Sequence, residues 1–224
     1  MIKNISNLGD AALYCDFGEE VNKETNNQVI RYFKSIQKEE VEGINNLTPS
    51  YNKLIISFDL KKTNYKEIKK KLENLNINTL SKMSGKKIEI PVCCEQSFSL
   101  DIKRLEKKLN LDSEKIYENF FKQEFFCYMT GFIAGMPFLG DLDKTMRAKR
   151  LETPRVKVPK GSIGLTEQFA NIYTFESPGG WNIIGKTPLD IFDSSNEKEP
   201  NLINPGDTVV FERITINQYQ NHNE

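Results

Sequence analysis

Three segments in the second half of the chain carry residue types suited to binding a small anion. One of them, 177–181, reads Ser-Pro-Gly-Gly-Trp and places two consecutive glycines before the only tryptophan. Because glycine has no side chain, the backbone N–H groups of Gly179 and Gly180 can approach a carboxylate or an oxyanion closely. The structural alternative is a hairpin turn in which Trp181 plugs a β-barrel, and the two interpretations are compatible. We therefore predict that Ser177, Gly179, Gly180 and Trp181 contribute to a substrate site.

A second segment, 153–164, places Arg155 beside a predicted strand and a Pro-Lys-Gly-Ser turn. An arginine can hold a carboxylate or a phosphate through two parallel hydrogen bonds, which a lysine does less well. The alternative interpretation is an ordinary surface charge. Arg155 is accordingly a candidate for binding an anionic group.

The third segment, 131–143, combines glycines, a proline and large apolar residues. This composition is typical of an ordered apolar loop, which forms either a packed corner or one wall of a ligand site. Phe132, Pro137 and Phe138 are its candidate substrate-binding residues. Asp141 and Asp143 lack a full ligand set for Ca²⁺ or Mg²⁺, so we predict a solvated turn there and no metal site.

A literal phosphate-loop pattern, G-x-x-x-x-G-K-[ST], occurs over 180–187. We do not interpret it as a phosphate loop, because its interior is bulky and Pro188 follows where a helix should begin. The stretch is better suited to a β-strand.

Composition excludes several other kinds of chemistry. Thirty-one Lys and Arg balance 31 Asp and Glu, so the positive excess that nucleic acids and anionic membranes require is missing. The single histidine, His222, lies in a polar tail, which argues against a histidine triad, a histidine-ligated zinc or a histidine general base.

The cysteines and the amino terminus indicate a reduced cytoplasmic protein. No Cys-x-x-Cys pair occurs among the four cysteines, and the first residues lack the apolar stretch of a secretion signal. No apolar run reaches the roughly 20 residues that span a bilayer.

Periodicity predicts a small α/β domain over 1–85 of split βαβ type. An apolar stretch over 11–17 predicts a strand, and helical spacing after the N-cap Asn22 predicts a helix. A strand over 54–58 and a second helix repeat the pattern, and 86–92 is a further predicted strand. The apolar stripe of the second helix comprises Tyr65, Ile68, Leu72 and Leu75.

The remainder, 86–224, is predicted to form a closed β-barrel with two helices near its start. Ser99 and Ser113 are the predicted N-caps of these helices. Short strands separated by Pro-Gly turns follow, at 156–158, 172–175, 181–184 and 209–211, and closure into a barrel removes exposed strand edges. An aromatic cluster of Phe120, Phe121, Phe125, Phe126 and Tyr128 is predicted to be core.

The order and spacing of these motifs resemble a known family. The matching stretches are GDAALYCDFGEEV, TPSYNKLIISFD, IEIPV, GFIAGMPFLGDLD, TPRVKVPKGSIG, SPGGWNIIGKTP, LDIFD and INPGDTVVF. With them the chain resembles the KipI family, also called allophanate hydrolase subunit 1 or PxpB, the B subunit of 5-oxoprolinase. The resemblance implies an α+β fold, with a small α/β domain followed by a cyclophilin-like β-barrel.

The resemblance also implies a reaction and partners. Such proteins act with a KipA/PxpC-like subunit and a LamB/YcsF-like PxpA subunit, and together they open the lactam of 5-oxo-L-proline to L-glutamate with ATP as co-substrate. Gly179, Gly180, Arg155 and Lys186 are then the candidate oxyanion and phosphate donors. Since this chain offers no obvious nucleophile or base, we expect the catalytic carboxylates to come from a partner.

Two other functions fit the same resemblance. KipI itself inhibits a sensor histidine kinase, and related modules form the carboxyltransferase part of urea carboxylase. The chain also departs from the family pattern: it has Phe120-Phe121-Lys122 where members carry a histidine, and 166–174 lacks their Gly-Gln-Thr-Gly turn. A divergent paralogue with a changed substrate is the alternative that these differences suggest.

Overall fold

Among the described residues, a four-stranded antiparallel sheet with two helices makes up the amino-terminal unit, Met1–Ser84, and a β-barrel makes up the second unit, Gly85–Glu224. The structure is a computed structural model that describes residues 2–75 and 85–222. The first unit contains β1 (Asn4–Asn7), β2 (Ala12–Asp16), α1 (Lys23–Glu39), β3 (Ile44–Pro49), β4 (Lys53–Phe58) and α2 (Tyr65–Glu73). This arrangement of sheet, helices and barrel confirms the predicted α+β class.

The first unit is a split βαβ arrangement, as predicted. The strand order is β1-β2-β4-β3, and both β2 and β3 pair antiparallel with β4, so β2 and β3 run parallel on either side of it. Alternate residues of β2 and β4 are buried against the apolar stripes of α1 and α2. Asn22 caps α1 by accepting a hydrogen bond of 2.8 Å from the backbone N–H of Thr25.

The second unit holds most of the strands. Its elements are β5 (Lys87–Cys93), α3 (Ile102–Leu109), α4 (Ser113–Phe121), β6 (Glu124–Thr130), β7 (Pro137–Gly140), a 3₁₀ turn (Lys144–Met146), β8 (Arg155–Val158), β9 (Ser162–Thr166), β10 (Phe169–Ile172), β11 (Ser177–Gly179), β12 (Asn182–Lys186), β13 (Thr208–Ile214) and α5 (Ile216–Asn221).

Seven of these strands close into a barrel in the order β10-β7-β6-β13-β5-β12-β9. One large apolar cluster fills it and takes in residues of α3 and α4, among them Leu105 and Phe120. The predicted aromatic core is confirmed, since Phe120, Phe125 and Tyr128 are fully buried. β8 and β11 stay outside the barrel as a separate two-stranded sheet.

The turn over 205–207, Pro-Gly-Asp, precedes β13 and contacts the residues that precede β5. The buried carboxylate of Asp207 accepts the backbone N–H of Lys86 at 2.9 Å and that of Asn204 at 2.8 Å. Gly85 packs so closely on Gly206 that a Cβ at Gly85 would lie 2.0 Å from the Gly206 oxygen. The parallel pair β5 and β13 is thus fixed at its beginning.

Two predicted caps and one predicted strand are wrong. α4 is capped by Asp112, whose carboxylate accepts the N–H of Lys115 at 2.8 Å, and Ser113 is its first residue. α3 begins after Asp101, whereas the Ser99 hydroxyl donates to the Ile184 carbonyl at 2.8 Å. The strand expected over 172–175 is β10, which ends at Ile172.

Candidate functional site

The three segments singled out in the sequence meet on the outer face of the barrel. β8 and β11 form a two-stranded ribbon, hereafter the ribbon, in which Gly179 pairs with Arg155 and Ser177 with Val158. A small apolar cluster made of Met136, Val158, Tyr173 and Ile183 joins the ribbon to the barrel wall and to the loop before β7. The next residue along β12, Ile184, belongs to the barrel interior, so Ile183 and the cluster lie outside it.

Trp181 belongs to this outer layer. It is 6% exposed, and its ring meets that of Phe138 edge to face at a centroid distance of 5.7 Å. The guanidinium carbon of Arg150 lies 5.9 Å from the centre of the indole ring. The tryptophan therefore does not plug the barrel, because its partners are on the outer face of the wall.

The predicted residues of the loop before β7 occupy different environments. Pro137 is buried at the first position of β7, opposite Thr130. Phe132 has a positive φ of 70° and is 74% exposed. Left-handed backbone is uncommon for residues other than glycine, and here it turns an aromatic ring toward solvent.

Arg155 makes the two-pronged carboxylate contact expected of it, but with a carboxylate of the protein itself. Its Nη1 donates to Asp101 Oδ2 at 2.9 Å and its Nη2 to Asp101 Oδ1 at 2.7 Å. Asp101 is 4% exposed, and its Oδ2 also accepts the backbone N–H of Ile183 at 2.7 Å. The pair anchors the ribbon to the amino-terminal end of α3, so the donors of Arg155 on that side are already occupied.

Lys186 lies apart from the other predicted site residues. It is the last residue of β12, four positions beyond Asn182, where it pairs with Cys93 and Ser162. Its Nζ is 5.5 Å from the ring centre of Phe98 and 6.0 Å from that of Tyr219. The same strand confirms that the phosphate-loop pattern over 180–187 is not a phosphate loop.

The two glycines of the ribbon have different surroundings. A Cβ at Gly179 would lie 2.1 Å from the hydroxyl oxygen of Tyr173, so only glycine fits. A Cβ at Gly180 would meet nothing closer than Pro154 Cγ at 3.5 Å. The carbonyl of Gly180 accepts the N–H of Leu151 at 2.8 Å, which fixes the bend.

Tyr173 is a central residue that the sequence did not indicate, because it reads as an ordinary strand residue. It is 1% exposed, and burial raises the pKa of its hydroxyl. Hydrogen bonds from Asn171 and from the Trp181 backbone, with the charges of Arg150 and Arg155, lower that pKa in part. At neutral pH Tyr173 is therefore a neutral hydrogen-bonding group.

Arg150 is the second residue that the sequence did not indicate. Its side chain is exposed over Trp181 and makes no ion pair within residues 2–75 and 85–222. It precedes the ribbon in a stretch that contains several other basic residues. The sequence therefore does not distinguish it from them as a candidate site residue. With Arg155 bound to Asp101, Arg150 is the cation of this site that remains able to meet a carboxylate.

The described residues form neither a metal-binding cluster nor a membrane-spanning helix. In the part of the chain that the structure describes, no group of three or more His, Cys, Asp and Glu side chains is placed to hold a metal ion. Nor does any helix among residues 2–75 and 85–222 have the length and apolar character needed to cross a membrane.

Known proteins resemble the chain over nearly its whole length. Residues 3–203 match the family described as carboxyltransferase domain, subdomain C and D. The 5-oxoprolinase B subunit of Bacillus subtilis is 31% identical over 98% of this chain and 96% of its own, and that of Haemophilus influenzae is 32% identical over 93% and 96%.

A solved structure shows the same fold within a longer protein. The crystal structure of TTHA0988 superimposes with a TM-score of 0.82 and 26% identity over 92% of this chain. The match spans only 40% of the TTHA0988 chain. Sequence and fold together confirm the resemblance: the chain belongs to the carboxyltransferase subdomain C and D family, in the group formed by the 5-oxoprolinase B subunits (PxpB).

Proposed function

We propose that this chain is the B subunit of an ATP-dependent 5-oxoprolinase, which opens the lactam of 5-oxo-L-proline to L-glutamate. The observation that carries the proposal is the extent of the similarity to subunits of that name, which includes the α/β unit as well as the barrel. The companions are a KipA/PxpC-like subunit and a LamB/YcsF-like PxpA subunit, and the site of action is the cytoplasm.

The ribbon site offers groups that suit this substrate. 5-Oxo-L-proline carries one carboxylate, one secondary amide and an apolar ring edge. Arg150 supplies a cation, and the faces of Trp181 and Phe138 supply apolar contact beside it. The Tyr173 hydroxyl, which burial keeps neutral, lies beneath Gly179 and supports this layer from below.

The site supports binding and orientation more readily than bond cleavage. Its buried carboxylate, Asp101, already accepts hydrogen bonds from Arg155 and from the Ile183 backbone, so it is a poor general base. We therefore assign the catalytic carboxylates to a companion subunit. The present chain holds the lactam in position, which by itself can contribute substantially to rate.

ATP is a co-substrate of the complex in this proposal, and we place its site on a companion subunit. The only literal phosphate-loop pattern in the sequence is strand β12, where a Cβ at Gly185 would lie 2.6 Å from Val92 Cγ1. Such a packed strand cannot present successive N–H groups to a phosphate. Coupling to ATP supplies the driving force that opening of an unactivated amide needs.

Reconstitution tests the proposal directly. The chain is co-expressed with the two companion subunits, and ATP-dependent release of glutamate from 5-oxo-L-proline is measured. Glutamate should form only when all three polypeptides and ATP are present. Release that is unaffected by omitting this chain, or a stable three-subunit complex with no release, would contradict it. Urea with bicarbonate serves as the alternative substrate pair and should give no ATP-dependent turnover.

A further inference from the structure

The loop 148–151 precedes the ribbon and belongs to no helix or strand. Since peptide groups in such a loop have no partners in a strand ladder or a helical turn, other groups must pair with them. At one end of the loop, the carbonyl of Ala148 accepts the backbone N–H of Glu167 at 2.8 Å. At the other end, the N–H of Leu151 donates to the Gly180 carbonyl at 2.8 Å. Backbone groups of the barrel and of the ribbon bend thus hold the two ends.

Side chains hold the middle of this loop, and Arg104 contacts two of its carbonyl oxygens. Its Nη2 donates to the carbonyl of Arg150 at 3.3 Å. Its Nη1 donates to the carbonyl of Lys149 at 3.5 Å and to the Oδ1 atom of Asn182. Asn182 is fully buried, and its Nδ2 donates to the same Lys149 carbonyl at 3.2 Å and to the Leu165 carbonyl at 3.0 Å. Arg104 and Asn182 together therefore fix the two middle peptide groups of the loop against the barrel wall.

The position of Arg104 on α3 explains how it reaches the loop. It lies three residues after Asp101, so the two side chains share one face at the beginning of the helix. Asp101 binds Arg155 of the ribbon there, while Arg104 binds the loop. In the described part of the chain Arg104 forms no ion pair with a carboxylate, so its donors serve the loop. The beginning of α3 thus holds both segments that border Trp181.

We infer that Arg104 is a positioning residue, which holds the backbone of the loop so that the Arg150 guanidinium stays over the face of Trp181. An arginine side chain is long, so a small rotation of the backbone that carries it displaces its charge considerably. The planar fork of Arg104 suits this task, because it reaches several oxygen atoms in a fixed geometry and an ammonium does not. Arg104 acts through Arg150 and does not contact the substrate. Reading the effect as substrate affinity rests on the proposed function, whereas the link between the two arginines does not.

The fluorescence of Trp181 tests this link in the full chain alone. Trp181 is the only tryptophan, so selectively excited indole emission reports on this one position. Arg104→Met should at least double the constant for quenching by acrylamide, because the released loop uncovers the indole face. Lys103→Met is the matched control: it removes a cation from the neighbouring position of α3, where the side chain is 78% exposed and pairs with Glu106. The control should leave the quenching constant unchanged.

Kinetics of the reconstituted complex test whether Arg104 acts through Arg150. Arg104→Met should raise the KM for 5-oxo-L-proline at least fivefold and leave kcat within twofold, as expected when binding of the ground state is lost. Adding Arg104→Met to Arg150→Met should raise KM no further, because no cation is left to position. Arg104→Lys keeps the charge without the fork, so its KM should stay at least threefold above the wild-type value. Lys103→Met should have the wild-type KM.

Three results would overturn the inference. Additive effects of Arg104→Met and Arg150→Met on KM would mean that Arg104 meets the anion itself. A wild-type KM for Arg104→Lys would mean that only its charge matters. Unchanged acrylamide quenching in Arg104→Met would mean that the loop does not depend on this side chain. If thermal melts show that Arg104→Met does not fold, Arg104→Lys takes its place in the quenching experiment, where a wild-type constant would equally overturn the inference.

The two experiments separate the positioning role from the proposed function. If the complex does not act on 5-oxo-L-proline while the quenching of Trp181 rises in Arg104→Met as expected, the positioning role stands and the assigned substrate is wrong. If the complex releases glutamate and Arg104→Met leaves its KM unchanged, the positioning role is wrong while the function stands.

Discussion

Arg155 and Asp101 are 54 residues apart in the chain and are joined by two parallel hydrogen bonds at the base of the ribbon. Asp101 lies at the beginning of α3 and Arg155 on β8, so the pair connects a helix, the ribbon and, through the Ile183 N–H, the barrel wall. An arginine that the sequence marks as a ligand clamp thereby fixes the position of the site.

Breaking this pair should destabilise the second unit strongly. Asp101→Ala leaves a partly buried guanidinium and the Ile183 N–H without their acceptor, and we expect a loss of about 3 kcal/mol in the free energy of unfolding. Glu176→Gln is the control, since it removes the exposed Lys157–Glu176 pair beside the same ribbon and should change the stability far less. Urea denaturation measures both, and equal effects of the two variants would show that the buried pair is not an anchor.

The contact between Gly179 and Tyr173 predicts a loss of stability that a second mutation relieves in part. Gly179→Ala places a methyl group 2.1 Å from the Tyr173 hydroxyl oxygen and should destabilise the protein by about 1–3 kcal/mol. Gly180→Ala, with its nearest neighbour at 3.5 Å, should be tolerated. Adding Tyr173→Phe to Gly179→Ala should restore part of the loss. Thermal melts of the wild type, Gly179→Ala, Tyr173→Phe and the double variant give the coupling free energy between the two positions. A strictly additive double mutant would contradict the steric explanation.

Local patterns were enough to predict much of this fold. Helical spacing predicted α1 and α2, the apolar runs predicted β2 and β4, and Pro-Gly turns between short strands predicted the barrel. The strands β1 and β3 were not predicted, because they lie at the edges of their sheet and none of their residues is buried. An exposed edge strand has no alternation strong enough to detect.

The site was predictable only in part, because some of its contacts join residues that are far apart in the chain. The three segments that the sequence indicates do meet in the fold, because glycine and proline mark where a chain bends closely around a neighbour. Their internal partners were not visible, since the pairing of Arg155 with Asp101 depends on contacts across 54 residues. The sequence does not show which of Arg150 and Lys186 lies at the site. The structure does, because Arg150 faces the ring of Trp181 whereas Lys186 faces that of Phe98.

The buried thiol of Cys15 predicts how stability changes with pH. Burial raises its pKa from 9.0 to about 12, so in alkaline solution the unfolded chain loses this proton while the folded chain keeps it. Stability should therefore fall as pH rises from 9 toward 12, by up to about 1.4 kcal/mol per pH unit from this thiol. Urea denaturation of Cys15→Ala at pH 8, 9 and 10 should show a shallower decline than the wild type. Parallel declines would mean that this thiol does not titrate differently in the two states.

Lys186 is expected to act on structure and not on substrate. Its ammonium faces Phe98 and Tyr219, and Tyr219 belongs to α5, so Lys186→Met should weaken the attachment of that helix by about 0.5–1 kcal/mol. Hydrogen exchange of the α5 amides should become faster. The KM for 5-oxo-L-proline in the reconstituted complex should not change, and a rise of tenfold or more would return Lys186 to the binding site.

Arg150 should recognise the carboxylate of the substrate. It is an exposed cation over the face of a buried tryptophan, and Arg155 beside it is bound to Asp101, so Arg150 is the guanidinium still able to receive an anion. Arg150→Met keeps apolar contact with the indole but removes the charge, and should raise the KM for 5-oxo-L-proline at least tenfold, or about 1.4 kcal/mol. Binding of 2-pyrrolidinone, which has the lactam without the carboxylate, should be unaffected.

Because Arg150 is exposed, its loss should leave the melting temperature almost unchanged, so weaker binding can be assigned to the missing charge. If Arg150→Met weakens both ligands equally, the residue shapes the Trp181 surface and does not read the carboxylate.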